Sequence, residues 1–569
     1  MYKNYFLDYE SESKEILHKY MDFLEKELEK KLDTKSPYLM GDFEKNAKKF
    51  LKGKCLKESI EASEDVLKEM ADYFSGTTRW HHPYVMNNIK TPVNLLSLAV
   101  VYNVMMYDPN LAGDTNCGKM AFAELEVVKY ISDLVGWDWR KSGGYFTFGG
   151  TSTLLNAVKI SINKAIKNVC SDGIKEDVFI VSSEQGHSAH GDVCNWLGIG
   201  RNSCLRMPVD ENYQMDILKT EKIISCKIEE GMKLVGIIVC GGTTIQTIVD
   251  SIYDIYMMRE RLVMKYQLPY KPHIHVDSVV GWVWLFYKSY SFSKNKLGLS
   301  DLACYKIEKM CKLISDVQFA DSIGIDFHKT GFCPYASSLI LTKDGAEIYK
   351  LNDKKAIAID NVQYGEYSPS SYTLELSRSA VGPLSALTAL KVFGIEGYQK
   401  LLGDIIEGVC ALVTYMAQIK CFEVINENTT GTCVLFVIKQ NQYAIPYCDF
   451  PEAKEQEIME IALYNYRFYL YVLNKIKSKD IDFFIDYSSG YEKTKRGFHM
   501  GILKMQTFNP MLTKEKARLL VNRIQKLKRE FDGNWQNFIE DPVYKPKNFK
   551  LKYQNNDYEL KGEKICLKK

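Results

Sequence analysis

The pattern of hydrophobic and polar positions changes along this chain and divides it into regions. Up to about residue 75, apolar residues recur three and four positions apart between lysines and glutamates, as in ILHKYMDFLEKELEKKL, which predicts two or three amphipathic helices. From about residue 76 to 370, helix-length segments alternate with short apolar runs such as DVFIVSS, LVGIIVCGG, HIHVD and SSLILTK. This alternation predicts an α/β domain built around a mainly parallel sheet.

Four regions are expected from this organisation. They are an N-terminal helical segment over 1–95, a large ligand-binding α/β domain over 96–370, a small C-terminal α+β domain over 371–545 and a basic tail over 546–569. The apolar run VNLLSLAVVYNVMMY at 93–107 is shorter than the roughly 20 residues that span a bilayer, so it predicts a buried helix. The charged N-terminus lacks the apolar core of a signal peptide, which favours a cytoplasmic location.

Charge and cysteine usage narrow the class of ligand. The 569 residues include 74 Lys plus Arg and 71 Asp plus Glu, a net charge of +3 that predicts neither a nucleic-acid surface nor a membrane surface. The 15 cysteines show no CxxC pairs, which favours reduced thiols and argues against a metal site. A small-molecule ligand is therefore the first expectation.

Chemically useful side chains follow several of the predicted strands. His187 lies in SSEQGHSAH, Thr244 in GGTT, Asp277 ends HIHVD, and His328 and Lys329 follow SIGID. In open α/β sheets the ligand binds beyond the carboxyl ends of the strands, so these groups are expected at one edge.

Each of these groups also has an ordinary structural explanation. A lysine forms a Schiff base only if it loses its proton readily, and most do not, so Lys329 alone could belong to a surface turn. Asp277 could pair with a pyridinium nitrogen, an arginine or a helix end. The GGT turn at 149–151 leads into a helix whose N-terminus could hold a phosphate, although many such turns bind nothing.

The joint order of these groups resembles a known family. From about residue 78 to 420, the chain is similar to the group II pyridoxal-phosphate-dependent amino-acid decarboxylases. Within that family it most resembles the bacterial tyrosine decarboxylases, through PVDENYQMDI at 208–217 and DFHKTGFCPY at 326–335. The resemblance implies the fold type I transferase architecture, similar to aspartate aminotransferase: a central, mostly parallel sheet flanked by helices, with a small C-terminal α+β domain. It also implies pyridoxal 5'-phosphate as cofactor, bound in the 96–370 domain.

The resemblance assigns roles to individual residues. Lys329 would form the internal aldimine with the cofactor, Asp277 would pair with the pyridine nitrogen, and His187 would stack on the ring and help to orient the substrate. Further cofactor contacts are implied for Gly150, Thr151, Ser152, Thr244, Ser278 and His328. The segment WHHP at 80–83 resembles a substrate-pocket segment, which makes Trp80, His82 and the adjoining Tyr84 substrate-binding candidates.

A tyrosine is expected to protonate the substrate after carbon dioxide leaves. Tyr335, six residues after the lysine, is one candidate. Tyr364 and Tyr367 are the alternatives, because related enzymes place a tyrosine on a loop there.

The implied activity is decarboxylation of an L-amino acid to the amine and carbon dioxide. An aromatic, tyrosine-like substrate is favoured by the aromatics expected near the pocket, which include Trp282 and Trp284. An acidic or aliphatic amino acid, another fold type I carbon–carbon lyase reaction and a non-catalytic relative are the alternatives. The family also implies a homodimer with shared active sites, wrapped by the N-terminal helices.

Four residues depart from the family pattern. Thr247 and Trp282 stand where glycine is usual, and Ser152-Thr153 replaces a Glu-Ala pair.

Overall fold

The computed structural model describes residues 6–7, 12–33, 36–42, 46–352, 367–426, 431–440, 455–493, 499–533, 551–553, 556–561 and 564–567. Its helices are α1 (Glu12–Glu29), α2 (Ala47–Leu51), α3 (Ser63–Asp72), α4 (Leu95–Tyr107), α5 (Asp114–Cys117), α6 (Met120–Val135), α7 (Gly150–Ala165), α8 (Val169–Asp172), α9 (Ala189–Trp196), α10 (Ile217–Glu229), α11 (Ile252–Tyr266), α12 (Asp301–Ser315), α13 (Phe327–Thr330), α14 (Ala346–Tyr349), α15 (Val381–Ala417), α16 (Glu455–Lys477) and α17 (Lys514–Asp532). The strands are β1 (Gly143–Thr147), β2 (Val178–Ser183), β3 (Cys204–Met207), β4 (Lys233–Cys240), β5 (His273–Asp277), β6 (Ser322–Asp326), β7 (Ser338–Thr342), β8 (Phe422–Val424), β9 (Cys433–Ile438), β10 (Asp486–Lys493), β11 (His499–Gln506), β12 (Leu551–Tyr553), β13 (Asn556–Lys561) and β14 (Lys564–Leu567).

The chain divides into two compact units. The first comprises Met1–Asn87, Ile438–Lys504 and Asn522–Lys569, and the second comprises Asn88–Val437 and Met505–Val521. Each unit draws on more than one of the four regions expected from the sequence, whose boundaries stay predictions. No helix among the described residues is both long enough and apolar enough to cross a membrane.

The first unit contains the helices expected near the N-terminus. The amphipathic pattern of the first 75 residues corresponds to α1, α2 and α3, and α1 packs against α3. Toward the C-terminus, β12, β13 and β14 form an antiparallel sheet.

The second unit is built on a seven-stranded sheet with the order β1-β7-β6-β5-β4-β2-β3. Strands β3, β2, β4, β5 and β6 pair in parallel, whereas β7 is antiparallel to both β6 and β1. Every residue of β2 and of β5 is buried, as expected for parallel strands that are covered by helices on both faces. The predicted mostly parallel α/β fold is confirmed.

Strand direction brings several chain segments to one edge of the sheet. Because β1, β2, β4, β5 and β6 run the same way, their carboxyl ends lie together. Helix α7 begins directly after β1, through Gly149 with φ 155°. A Cβ on Gly150 would lie 2.9 Å from both Asp326 Oδ2 and Val279, so the helix can start this close to β6 only with glycine there.

The expectation of a buried helix at 93–107 was half right. Helix α4 is present and packs on α15, but Leu95 is 81% exposed and Met105 is 68% exposed, while Ser97, Val101 and Val104 are buried. The run is apolar on every side, so the sequence pattern could not show that only one face packs within the chain.

Trp282 and Trp284, counted among the aromatic residues expected near the pocket, are core residues. Both belong to the 3-10 helix Gly281–Ser289 and are completely buried in the main hydrophobic core. The Trp282 ring lies 4.7 Å from the ring of Phe327, which precedes the His-Lys pair. Trp282 therefore supports α13 from the core side.

Candidate active site

A cavity of about 180 Å³ opens at the carboxyl edge of the seven-stranded sheet. We call it the strand-end cavity, and it is lined by Gly150, Thr151, Leu154, His187, Ala189, Cys240, Gly242, Thr243, Thr244, Asp277, Val279, Asp326, His328, Lys329 and Tyr335. The convergence expected from the strand ends is therefore observed within the second unit. Every group of the predicted constellation is present: the GGT turn, His187, the threonines, the aspartate and the His-Lys pair.

Lys329 lies on α13, a single helical turn that follows β6. Its Nζ is 3.0 Å from Asp326 Oδ2, and Asp326 Oδ1 accepts a 2.5 Å hydrogen bond from Ser338 Oγ. The Lys329 side chain keeps 26% of its surface exposed, whereas Asp326 is fully buried. The amine is thus held by one buried carboxylate and still faces the cavity.

Asp277 ends β5, and its carboxyl has a strongly shifted pKa. Burial alone would raise the pKa of this carboxyl, but the hydrogen bond from His190 and the positive charges nearby, including Lys329, lower the pKa to about 2. Oδ2 accepts from His190 Nε2 at 2.8 Å. Oδ1 is buried and has no hydrogen-bond partner among the residues that the structure describes.

An ionised oxygen that is buried without a partner is costly unless a ligand satisfies it. The protonated ring nitrogen of a pyridine is a cation and hydrogen-bond donor of the required kind. Asp277 Oδ1 therefore fits pyridoxal phosphate, and the amine of Lys329 on the same cavity wall fits it as well.

His187 and the two threonines contribute the remaining polar wall. His187 Nδ1 accepts from the backbone amide of Ala189 at 3.1 Å, which fixes the ring plane. Partial burial lowers the pKa of His187, which favours the uncharged imidazole at neutral pH. Thr243 Oγ1 accepts from the amide of Ile248 at 2.9 Å and closes the turn that presents Thr244.

Thr247, which stands where the family usually has glycine, adopts a left-handed backbone conformation. Its φ is 58°, in the left-handed region that glycine enters without steric cost, so a glycine in the family pattern is the expected residue there. Thr247 is buried and its amide donates to Thr243 O at 2.8 Å, so the turn keeps its shape with the larger side chain.

Two predicted cofactor contacts do not line the cavity. Ser278 Oγ is buried and donates to Gly241 O at 2.9 Å. Ser152 Oγ is buried in the first turn of α7 without a partner in the described part of the chain. Their contact with a cofactor remains a prediction.

Tyr335 is placed at the cavity and Tyr367 is not. The Tyr335 ring is 60% exposed, and its centroid lies 4.2 Å from that of His328. Tyr367 is buried elsewhere, where its hydroxyl donates to Glu124 Oε2 and receives a 3.4 Å hydrogen bond from Arg378. Tyr364 lies outside the described residues.

Lys90 supports the loop that carries the lysine and the tyrosine, a role that the sequence did not indicate. Its buried Nζ donates to His328 O at 2.7 Å and to Cys333 O at 3.0 Å, and it lies 4.5 Å from the centre of the Tyr335 ring. Burial lowers the pKa of Lys90 to about 8. The loop is therefore fixed at both ends of the segment between Lys329 and Tyr335.

The substrate candidates Trp80, His82 and Tyr84 belong to the first unit. There the rings of His82 and Tyr84 lie 5.7 Å apart, and His82 Nδ1 accepts from the Tyr84 amide at 3.3 Å. Their role at a substrate remains a prediction.

Sequence reasoning missed His190, which lies on α9 beneath the cavity. It is completely buried and contacts Asp277, three residues after the predicted stacking histidine in the same SSEQGHSAH segment. The spacing could have placed both histidines on one turn, but no pattern showed that the second ring would reach β5.

Comparison with known proteins identifies the family of this chain. Residues 47–439 match the pyridoxal-dependent decarboxylase conserved domain. The L-tyrosine decarboxylase of Enterococcus faecalis is 29% identical over 37% of this chain and only 36% of its own length. The L-2,4-diaminobutyrate decarboxylase of Acinetobacter baumannii is 21% identical over 69% of this chain and 74% of its own length.

Among solved structures, mouse CSAD has the same fold. It superposes with a TM-score of 0.73 at 16% identity, covering 90% of this chain and 99% of the mouse chain. Since the family model spans well over half of the residues, this chain belongs to the pyridoxal-dependent decarboxylase family.

Proposed function

We propose that this protein is a pyridoxal-phosphate-dependent carboxy-lyase that converts an L-amino acid, with an aromatic one favoured, into the amine and carbon dioxide. The observation that carries the proposal is that Asp277 and Lys329 line the same cavity. Asp277 offers a buried, ionised and unpartnered oxygen, and Lys329 offers an amine that faces the cavity.

Pyridoxal phosphate, when bound, supplies an electron sink for the bond that breaks. The chain's own residues would hold it in place: Lys329 through its amine, Asp277 at the ring nitrogen, and His187 on the ring face. Gly150 and Thr151 open the 16-residue helix α7, whose first amides have no acceptor within the helix and favour a phosphate. His187 would also orient the substrate carboxylate.

The cavity wall favours a substrate with an uncharged side chain. Leu154, Val279 and the Tyr335 ring give it apolar surface, and no arginine is among the described residues that line it. An acidic substrate would need a cation for its second carboxylate, and Lys329 is engaged with Asp326. Tyrosine-like substrates are therefore favoured, while aliphatic or acidic amino acids are the alternatives.

Tyr335 is our candidate for the proton donor. Burial raises the pKa of its phenol, so the group keeps its proton at neutral pH and can deliver it to the substrate Cα. Tyr364 and Tyr367 remain the alternative donors.

We further propose a cytoplasmic homodimer with shared active sites. Helix α4 exposes a face with Leu95, Leu96, Met105 and Tyr107, a set of large apolar side chains that a second copy of the chain would cover. The N-terminal helices α1 to α3 are expected to wrap that partner.

A mass-spectrometric screen tests the activity. The purified protein, supplied with pyridoxal phosphate, is incubated with each of the twenty amino acids and common derivatives, with Lys329→Ala as the inactive control. We expect carbon dioxide and an amine from an aromatic amino acid. Aldehyde or ammonia without the amine would instead support another lyase reaction, and a wild-type protein that takes up no pyridoxal phosphate would support a non-catalytic relative.

A further inference from the structure

A chain of hydrogen-bonded polar groups leads from Arg206, which is exposed, to the buried Asp277. Arg206 on β3 donates from Nη1 to Ser182 Oγ at 3.3 Å, Ser182 Oγ lies 2.5 Å from His190 Nδ1, and His190 Nε2 lies 2.8 Å from Asp277 Oδ2. Ser182 and His190 are completely buried, and Asp277 is 8% exposed. We call these four residues the Asp277 cluster.

The direction of the bonds in the cluster follows from the groups themselves. A guanidinium can only donate, and an ionised carboxylate can only accept. His190 Nε2 must therefore carry a proton and donate to Asp277, because an unprotonated nitrogen would face a carboxylate oxygen with two lone pairs opposed. One oxygen of Asp277 is thereby fixed, and Oδ1 is left for a ligand.

The same cluster fixes the segment that carries the stacking histidine. Arg206 also donates to Ser183 O at 3.3 Å, to Gly186 O at 3.2 Å and to His187 O at 2.8 Å. A Cβ on Gly186 would lie 2.7 Å from both His190 Nδ1 and Ser182 Oγ, so a larger residue would displace the cluster. One set of hydrogen bonds therefore holds both Asp277, the proposed partner of the ring nitrogen, and the segment of His187, the proposed partner of the ring face.

We propose that His190 is a positioning residue for the reaction: it holds Asp277 Oδ2 so that Oδ1 meets the ring nitrogen of the cofactor, and it is itself held by Ser182 and Arg206. This inference rests on the proposed function, because it assigns Asp277 to a pyridine nitrogen. His190 contributes through Asp277 and does not line the strand-end cavity.

The test compares the affinity of the protein for pyridoxal phosphate with its affinity for the 1-deaza analogue, in which carbon replaces the ring nitrogen. The ratio of the two dissociation constants reports the Asp277 contact alone, so a general loss of folding or of phosphate binding leaves it unchanged. In His190→Leu we expect the preference for pyridoxal phosphate to fall about tenfold or more, since a hydrogen bond to a charged group is lost. In His190→Gln, whose side-chain amide can donate to Asp277, we expect most of the preference to return.

A ratio in His190→Leu within about twofold of the wild-type ratio would overturn the inference, since the lost bond to a charged group should change it by more. If His190→Leu does not fold, Ser182→Ala is measured instead. This variant removes the hydroxyl between Arg206 and His190, and it should lower the ratio by a smaller factor. An unchanged ratio in folded Ser182→Ala, with no folded His190→Leu, would equally overturn it. A wild-type protein that binds neither compound would instead contradict the proposed function, and the inference with it.

Discussion

The two ends of strand β5 hold buried titratable groups in opposite ways. At the amino end, His273 Nε2 lies 2.7 Å from Ser322 Oγ, and its Nδ1 lies 3.4 Å from Lys164 Nζ and 3.5 Å from Glu347 Oε2. At the carboxyl end, Asp277 has one oxygen bound to His190 and the other without a described partner. Both side chains lie on the same face of the strand, because their positions differ by an even number.

The difference separates a group that is bonded only within the protein from one that is available to a ligand. Burial lowers the pKa of His273 to about 3, so this side chain is neutral and all its neighbours belong to the protein. Asp277 is buried as well, yet its neighbours keep it ionised and leave one acceptor open to the cavity. A perturbed pKa therefore indicates a site only where the geometry leaves a group available to a ligand.

The largest expected effect is on kcat, and it distinguishes the two ends of β5. Asp277→Asn keeps the shape of the side chain but removes the charge that supports a ring nitrogen, so we expect kcat to fall about a thousandfold. The matched control at the other end, His273→Gln, should change kcat by less than about threefold, because His273 contacts no cavity group. Steady-state kinetics on the substrate found in the screen measure both, and equal losses would erase the distinction between the ends.

The same contrast applies to two tyrosines. Tyr335→Phe removes a hydroxyl that the structure places at the cavity, and we expect retained cofactor binding with about a hundredfold loss of amine formation. Tyr367→Phe removes a hydroxyl bound to Glu124 and should instead cost about 1–3 kcal/mol of unfolding free energy with little effect on kcat. The reverse result would move the proton donor from Tyr335 to Tyr367, and full activity in both variants would favour Tyr364.

The loss of stability in acid also distinguishes the two ends of β5, and it can be measured without turnover. The pKa of His273 is about 3 when folded and about 6.5 when unfolded, so between these values the unfolded chain binds more protons and acid favours unfolding. Wild type should therefore lose about 3 kcal/mol more stability than His273→Gln between pH 7 and pH 4. Asp277, with a folded pKa of about 2, keeps most of its contribution at pH 4 and loses it only in stronger acid.

Urea titrations at the two pH values measure this difference. If wild type and His273→Gln lose the same stability, His273 is not held neutral in the interior, and the contrast between the ends would rest on Asp277 alone.

The sequence predicted the cavity well because its groups stand at strand ends. Asp277, His187 and Lys329 each follow a short apolar run, and parallel strands bring such positions to one edge whatever the details of packing. The mostly parallel sheet itself followed from the alternation of strands and helices.

What the sequence could not show depends on the orientation of whole elements. His190 reaches Asp277 only because of the way α9 lies against β5, and Lys90 reaches His328 O across more than two hundred residues of chain. Likewise, an apolar segment predicts burial without saying against what: α4 leaves one face exposed, and Trp282 turns into the core. Periodicity describes the faces of an element, whereas these outcomes depend on its neighbours.

The most direct test of the account is to identify the lysine that carries the cofactor. The protein is loaded with pyridoxal phosphate, reduced with borohydride, digested and mapped by mass spectrometry, with Lys90→Met as a matched control close to the same loop. We predict one pyridoxyl adduct on Lys329, absent in Lys329→Ala and retained in Lys90→Met. A specific adduct on another lysine, or one that survives in Lys329→Ala, would contradict the assignment of Lys329 and the mechanism that depends on it.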